Sequence, residues 1–310
     1  MLRQWRYAML VGLAVAVTLF ISACGGTTTG SGGGNTSAPG TLGTPGNYTC
    51  ISGSLVASGS TALAPLVQKV AQAYQGRCSG AHITVNLGGS KTGLSQVEAG
   101  SVGIGNSDIF ADKTTQGDLV DHQVAVVIFG IIVNAKVGIT NLTTTQIQGI
   151  YAGTITNWKQ VGGPDKKIVV VSRPASSGTR ATFQTYVLGG PEKISGPASL
   201  TTDSTGTVIT NVAQTDGAIG YASTGPAKSN SGVTLVSIDN NAPSASLVES
   251  NTYKFWNIEH MYTKGKASNL AQALIDYMAS SDGQSAAASL DFVPLSLMQA
   301  SAVQAHQPQS

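Results

Sequence analysis

Three times along the chain, a short apolar stretch is followed by a turn rich in Gly, Ser and Thr and then by a helical pattern of apolar residues. These turns lie near 58–62, 88–93 and 172–180. The alternation of strand, turn and helix favours an α/β protein with largely parallel sheets. Ligands in such sheets bind at the carboxyl ends of the strands, beside helix N-termini. We therefore expect a binding site where the three turns meet.

The patterns are clearest in two segments. Between residues 63 and 74 the apolar side chains recur every three or four positions, which predicts one buried face of a helix, with Pro65 tolerated in its first turn. Residues 124–133 form an unbroken apolar run that is too short to span a bilayer and predicts a strand buried on both faces. Further strands are predicted at 51–57, 83–87, 168–171 and 218–222, and further helices at 92–99, at 144–151, from 176 onward and after a Ser268 cap.

The chemistry of the turns points to an anion. Helix N-termini present unpaired N–H groups and a partial positive charge. The third turn adds Arg173, whose guanidinium can hold two oxyanion oxygens at once, and Gly178, which would let the backbone approach a ligand closely. Each feature also has an ordinary interpretation: Ser60, Ser90 and Ser177 are typical helix N-caps, and an arginine is commonly solvated or salt-bridged.

The N-terminus predicts export and lipid attachment. Residues 1–23 begin with two arginines, continue with an apolar segment over 8–21 and end directly before Cys24. The sequence Ile21-Ser22-Ala23-Cys24 resembles the bacterial lipobox, in which the cysteine receives a diacylglycerol. We therefore expect a lipoprotein signal peptide at 1–23, lipidation of Cys24, a Gly/Ser/Thr-rich tether at 24–48 and anchoring on the outer face of the cytoplasmic membrane. The alternative is an ordinary signal peptide, or an uncleaved anchor, with an incidental cysteine.

Two cysteines remain after the predicted lipidation site. Export would expose Cys50 and Cys78 to an oxidising environment, so a disulfide between them is expected. The alternative is that both are unpaired small residues of the core.

The charge balance argues against nucleic acid as a partner. The chain of 310 residues has 17 basic and 15 acidic residues, and removing Arg3 and Arg6 with the signal peptide leaves 15 of each sign. There is no run of Lys or Arg of the kind that nucleic-acid binders carry. Any anion must then be captured by a local site and not by the field of the whole protein.

Six stretches resemble one known family in their order and spacing. They are SGSTALAPLV (58–67), GGSKTGLSQVEAGSVGIGNSDIF (88–110), NLTTTQIQGIYAGTITNWKQVGG (141–163), SRPASSGTRATF (172–183), GAIGY (217–221) and EHMYTKG (259–265). Over about residues 50–300 the chain resembles the phosphate-binding proteins of phosphate ABC transporters, in the lipoprotein form of Gram-positive bacteria. The resemblance implies a two-lobed periplasmic-binding-protein fold, in which each lobe is a mostly parallel sheet flanked by helices and the ligand binds in the cleft. Lobe I would comprise 49–128 with 254–310, and lobe II 129–253.

The resemblance also implies a set of phosphate contacts. They are Ser60, Thr61 and Ala62 from the first turn, Ser90 from the second, Ser107 and Asp108 from the GNSD stretch, and Arg173, Ser177, Gly178 and Thr179 from lobe II. One departure lies in the second turn, where Lys91 occupies a position at which the family has a small residue; it would either point to solvent or add a charge near the cleft mouth.

Asp108 is the most informative of these residues. A carboxylate beside an anion repels it unless the ligand supplies a proton that the carboxylate can accept. Monohydrogen and dihydrogen phosphate both carry such a proton, whereas sulfate at neutral pH does not. The pattern therefore predicts selection of phosphate against sulfate by repulsion.

We accordingly expect a monomeric receptor that closes on inorganic phosphate and delivers it to the permease subunits of an ABC importer, with no cofactor, metal or catalytic residue. The chain has no GxxxxGK[ST] loop, so the ATPase would be a separate chain. The alternatives are a receptor or sensor for another tetrahedral oxyanion, or a secreted phosphatase. A phosphatase is disfavoured because the four histidines (82, 122, 260 and 306) are scattered and GxSxG is absent.

Overall fold

The computed structural model describes residues 48–193, 199–267 and 269–308. The predicted signal peptide, the lipidation site Cys24, the tether up to residue 47 and the Ser268 cap lie outside the described residues. Within the described ranges, no helix combines the length and the apolar character needed to cross a membrane.

The described part of the chain contains strands and helices that alternate over much of its length. Strands β1 to β10, in chain order, are Gly53–Gly59, Ala81–Leu87, Ile104–Ser107, Leu119–Asn134, Asn141–Leu142, Val169–Ser172, Ser199–Thr201, Ala218–Ser223, Val233–Ile238 and Trp256–Lys264. Helices α1 to α10 are Ala64–Arg77, Ser90–Glu98, Thr144–Tyr151, Gly178–Phe183, Thr205–Gln214, Thr224–Lys228, Ala245–Glu249, Asn269–Ala279, Ser281–Ser289 and Ala300–Ala305. The alternation is interrupted where β3 is followed directly by β4, and three helices follow β10.

The strands form a mixed sheet in the order β2-β1-β3-β10-β4-β8-β6-β7, while β9 pairs with β4 and β5. Strand β1 runs parallel to β2 and β3, and β6 runs parallel to β7 and β8, as the sequence predicts. Strands β4 and β10 run antiparallel to their neighbours, which the sequence pattern did not indicate. The two parallel groups are thus joined through antiparallel strands.

Strand β4 belongs to both halves of the molecule. Its first part, Leu119–Ile128, pairs with β10, and from Phe129 onward it pairs with β8 and then β9. The fold is therefore the two-lobed α/β architecture, with β2, β1, β3 and β10 in one lobe and β8, β6 and β7 in the other. The residue boundaries given above for the lobes stay a prediction.

Local sequence explains most of the elements next to the site. Helix α1 begins beside Pro65 and buries the apolar stripe that the spacing predicts, including Leu66, Val70 and Tyr74. Helix α3 is confirmed at its predicted bounds and begins with a capping box in which Thr143 accepts from the backbone of Gln146. Helix α4 continues as one π-helical turn over Gln184–Leu188.

A continuous core runs beneath both halves. Three aromatic rings pack together in it: Phe183 stacks on Tyr221 with ring centroids 4.3 Å apart, and Phe255 lies tilted against Phe183 at 5.5 Å. The predicted disulfide is confirmed: Cys50 bonds Cys78, and it ties the segment before β1 to the end of α1.

Candidate anion-binding site

All ten residues that the resemblance implies as anion contacts are buried. Strands β1, β2 and β3 are parallel, so their carboxyl ends meet at one edge of the sheet. Ser60 follows β1, Ser90 opens α2 after β2, and Asp108 follows β3. Arg173 follows β6 of the other lobe and leads into α4. The fold thus brings turns from both lobes to one place.

Asp108 connects three of these turns. Its Oδ1 accepts the Ser60 hydroxyl, and its Oδ2 accepts the Thr179 hydroxyl at 2.9 Å. Its backbone N–H donates to the Ser90 hydroxyl at 2.9 Å. Because Thr179 belongs to the opposite lobe, Asp108 is bonded across the cleft as well as within its own lobe. Each carboxylate oxygen of Asp108 therefore accepts one hydroxyl hydrogen bond.

The N-cap interpretation holds for Ser177, whereas Ser60 lies in the turn before Leu63, the N-cap of α1. The Ser60 hydroxyl accepts the backbone N–H groups of Ala62 and Leu63 at 3.1 and 3.0 Å. The Ser177 hydroxyl accepts the backbone N–H of Arg180 at 3.2 Å and caps α4. Ser90 instead is the first residue of α2, and its hydroxyl accepts the backbone N–H of Asp108. Ser60 therefore combines a turn contact with a contact to the carboxylate.

Arg173 is not a solvated side chain, because only 1% of it is exposed. Its Nη2 donates to the Thr61 hydroxyl at 3.0 Å and to the Asp203 carbonyl at 3.2 Å. Its Nε and Nη1 have no hydrogen-bond partner among the described residues. Burial lowers the pKa of Arg173, and the negative charge of Asp108 is the main opposing effect. A buried guanidinium with two unpaired nitrogens suits a bidentate oxyanion contact.

A partly buried ion pair that the sequence did not indicate contacts the backbone of Arg173. Arg180 donates through Nη1 to the Arg173 carbonyl at 2.8 Å, and its Nε lies 2.8 Å from a Glu192 oxygen. The same oxygen accepts the Ser172 hydroxyl at 2.6 Å. Burial raises the pKa of Glu192, although the Ser172 hydrogen bond and the charge of Arg180 oppose that shift. Nothing in the local pattern around Glu192 indicates this contact.

The N-terminus of α5 is a further part of the site that the sequence did not indicate. The Thr205 backbone N–H donates to the Thr61 hydroxyl at 3.2 Å, and the two threonine hydroxyl oxygens are 3.0 Å apart. The segment does contain another Ser/Thr/Gly turn, capped by Ser204. That turn follows a short polar strand, so it lacked the apolar stretch that marked the other three.

Two of the residues singled out above point away from this cluster. The Ser107 hydroxyl bonds locally, donating to the Ile109 carbonyl at 2.6 Å and accepting its N–H at 3.1 Å. The Lys91 side chain is exposed and makes no hydrogen bond or ion pair with a described residue, although its backbone N–H donates to the Ser176 carbonyl at 3.1 Å. Lys91 therefore joins the two lobes through its backbone.

The site has none of the features of a metal centre. Within 48–193, 199–267 and 269–308, no three His, Cys, Asp or Glu side chains group in a way that could hold an ion. A cavity of about 360 Å³ is lined by Ala62, Thr224 and Asp291 but by neither Asp108 nor Arg173. The ten candidate anion contacts, together called the anion cluster, are instead buried.

The fold is that of a two-lobed α/β binding protein, and the buried cluster of Asp108, Arg173 and their neighbours is its candidate anion site. The family model described as a PBP superfamily domain matches residues 36–282. The phosphate-binding protein PstS of Bacillus subtilis (strain 168) is 46% identical over 236 residues, which cover 75% of this chain and 77% of that protein. The chain therefore belongs to the PBP superfamily, in the family of the PstS phosphate-binding proteins.

More distant relatives agree with this placement. The phosphate-binding protein PstS of Borreliella burgdorferi is 29% identical over 238 residues, covering 73% of this chain and 84% of that protein. The structure of a putative phosphate ABC transporter substrate-binding protein of Clostridium perfringens, with bound phosphate, superimposes with a TM-score of 0.74 at 29% identity. The match covers 78% of this chain and 100% of that chain.

Proposed function

We propose that this protein is an extracytoplasmic receptor that binds inorganic phosphate between its lobes and delivers it to an ABC importer. The observation that carries the proposal is the buried juxtaposition of Asp108 and Arg173, a proton acceptor and a cation in one closed site. The names of the relatives, which are phosphate-binding proteins and a putative phosphate ABC transporter substrate-binding protein, support the same ligand.

The two residues divide the recognition of phosphate between them. Arg173 offers its unpaired Nε and Nη1 to two phosphate oxygens. Asp108 accepts the proton of a third oxygen, since each carboxylate oxygen has a second lone pair beyond the one used by Ser60 or Thr179. Sulfate would bring an unprotonated oxygen against the buried carboxylate, which is unfavourable.

The receptor works by closure and not by catalysis. Contacts from Arg173 to Thr61 and from Thr179 to Asp108 join the lobes, so closing them around the anion creates the shape that permease subunits would recognise. The relatives are named as binding and transport proteins, which agrees with the expectation that the chain is not an enzyme. The proposed arrangement at the membrane is a monomer anchored through a lipid on Cys24, on the outer face of the cytoplasmic membrane.

Calorimetric titration of the purified, ligand-stripped protein with phosphate and with sulfate tests this function. We expect tight phosphate binding and negligible sulfate binding. Asp108→Asn should weaken phosphate binding by about 10- to 150-fold, the value of a charged hydrogen bond of about 1.5–3 kcal/mol, and should improve sulfate binding because the repulsion is removed. Failure of the folded wild-type protein to bind phosphate would contradict the proposal.

A second candidate function is a receptor or sensor for another tetrahedral oxyanion, which the unpaired nitrogens of Arg173 would also suit. The same titration separates the two, because a receptor for an unprotonated oxyanion should gain nothing from the carboxylate of Asp108. Sulfate binding in the wild type that Asp108→Asn leaves unchanged would favour this second function.

A further inference from the structure

A second buried carboxyl lies next to Asp108. Strand β10 pairs antiparallel with β3, with His260 opposite Ser107 and Met261 opposite Asn106. The next position along this register brings Glu259 beside Asp108, at the edge of the sheet where the anion cluster lies. Glu259 is completely buried.

Glu259 has no partner that would stabilise a negative charge. Neither of its oxygens has a hydrogen-bond partner among the described residues, and its neighbour across β4 is Ala125. An isolated ionised carboxylate in such a place is strongly unfavourable. A glutamate there is tolerated most readily as the neutral acid.

The other titratable groups on the packed elements are exposed or bonded elsewhere. From β4, Asp121 lies 2.8 Å from Nδ1 of His260, and His122 lies 3.1 Å from the Thr263 hydroxyl. Helix α2, which packs on β10, offers Lys91, which is exposed, and Glu98, which accepts from Gln116 at 3.2 Å. Asp108 on the β3 side is thus the charged group that acts on Glu259 most directly.

The environments of the two carboxyls differ in a way that decides which one keeps a proton. Asp108 accepts two hydroxyl hydrogen bonds, and its charge acts on the buried guanidinium of Arg173. Glu259 has none of these. Burial, and after it the negative charge of Asp108, raises the pKa of Glu259 well above its ordinary value. Adjacent buried carboxyls repel each other when both are ionised, and Glu259 is the one whose pKa is raised.

We propose that Glu259 is a positioning residue that stays a neutral carboxylic acid and thereby leaves Asp108 as the one carboxylate that can accept the proton of a bound anion. This inference rests on the proposed function. With Glu259 neutral, the charges of Asp108 and Arg173 balance and the site can take up an anion. An ionised Glu259 would add a second buried negative charge beside the ligand, so anion affinity should fall wherever Glu259 loses its proton.

Infrared difference spectroscopy of the full chain at pH 7 locates the proton without any ligand. We expect the carbonyl stretch of a protonated carboxylic acid in the wild type, its loss in Glu259→Gln and its retention in Asp121→Asn, the matched control on the neighbouring strand. Absence of the band from the wild-type minus Glu259→Gln difference, or its loss in Asp108→Asn with retention in Glu259→Gln, would overturn the proposal.

The functional consequence is tested by following the band and the phosphate affinity together from pH 7 to pH 10. The ratio of the wild-type to the Glu259→Gln affinity should fall, by up to about tenfold per pH unit, starting at the pH where the band disappears. It should stay constant as long as the band persists. A ratio that falls while the band persists, or stays constant after the band is lost, would contradict the coupling.

The outcomes also separate this inference from the proposed function. Failure of the wild type to bind phosphate at pH 7 rejects the transport function while the infrared result still locates the proton. Normal phosphate binding without the Glu259 band rejects only the role of Glu259.

Discussion

Gly178 is the residue at which a single methyl group should hold the two lobes apart. A Cβ placed there would lie 2.3 Å from the Ser90 hydroxyl oxygen and 2.9 Å from Cβ of Asp108. Both distances are shorter than real Cβ contacts allow. Ser90 cannot simply rotate away, because its hydroxyl accepts the Asp108 backbone N–H at 2.9 Å. Because these neighbours belong to the other lobe, the clash should destabilise the closed arrangement of the two lobes. The stability of each lobe by itself should not change.

The magnitude follows from the cost of overpacking. Forcing an extra methyl group into a packed contact costs about 1–3 kcal/mol. If that cost falls on closure, Gly178→Ala weakens phosphate binding by about 5- to 150-fold. Calorimetric titration measures the loss, and thermal unfolding without phosphate should show little change because the lobes themselves are unaltered.

Gly206→Ala is the matched control. Gly206 also lies in the first turn of a lobe II helix, but no atom lies within 4 Å of a Cβ built there. We expect wild-type phosphate affinity in this variant. The reasoning is refuted if Gly178→Ala binds phosphate within twofold of the wild type, or if Gly206→Ala loses as much affinity as Gly178→Ala.

Two further predictions concern stability. Reduction of the Cys50–Cys78 disulfide, which spans 28 residues, should destabilise the protein by about 3–4 kcal/mol and lower the Tm by about 10 °C; an unchanged Tm would contradict this. His306 stacks between Trp256 and Tyr186, and burial lowers its pKa to about 3 from the ordinary 6.5. Between pH 6.5 and pH 3, His306 is therefore protonated in the unfolded chain but neutral in the folded protein. The free energy of unfolding should fall as the pH drops through this range, by at most about 1.4 kcal/mol per pH unit. Denaturant unfolding at several pH values should show that the free energy of unfolding depends less on pH in His306→Gln than in the wild type. An equal pH dependence in the two proteins would contradict this prediction.

Several parts of the site could be predicted because their signals are local. A turn of Gly, Ser and Thr between an apolar strand and a helix consists of consecutive residues and can be recognised in the sequence. This pattern predicted the positions of Ser60, Ser90 and the stretch from Arg173 to Thr179. The bounds of α3 and the buried run in β4 followed from spacing for the same reason. The antiparallel pairings of β10 did not, because pairing partners more than a hundred residues away leave no mark on a local pattern.

By itself, the sequence determined the α/β class, the three turns and the residue types that suit an anion, since helix starts and strand patterns depend on neighbouring residues. Only the tertiary structure decided that Asp108 meets Thr179, 71 residues away, and that Thr61 meets Thr205, 144 residues away. Only the tertiary structure showed that Glu259 lies beside Asp108 and that Glu192 forms an ion pair with Arg180. The physical reason is that such contacts depend on how the two lobes pack, and packing sums many weak interactions between segments that are distant in the chain.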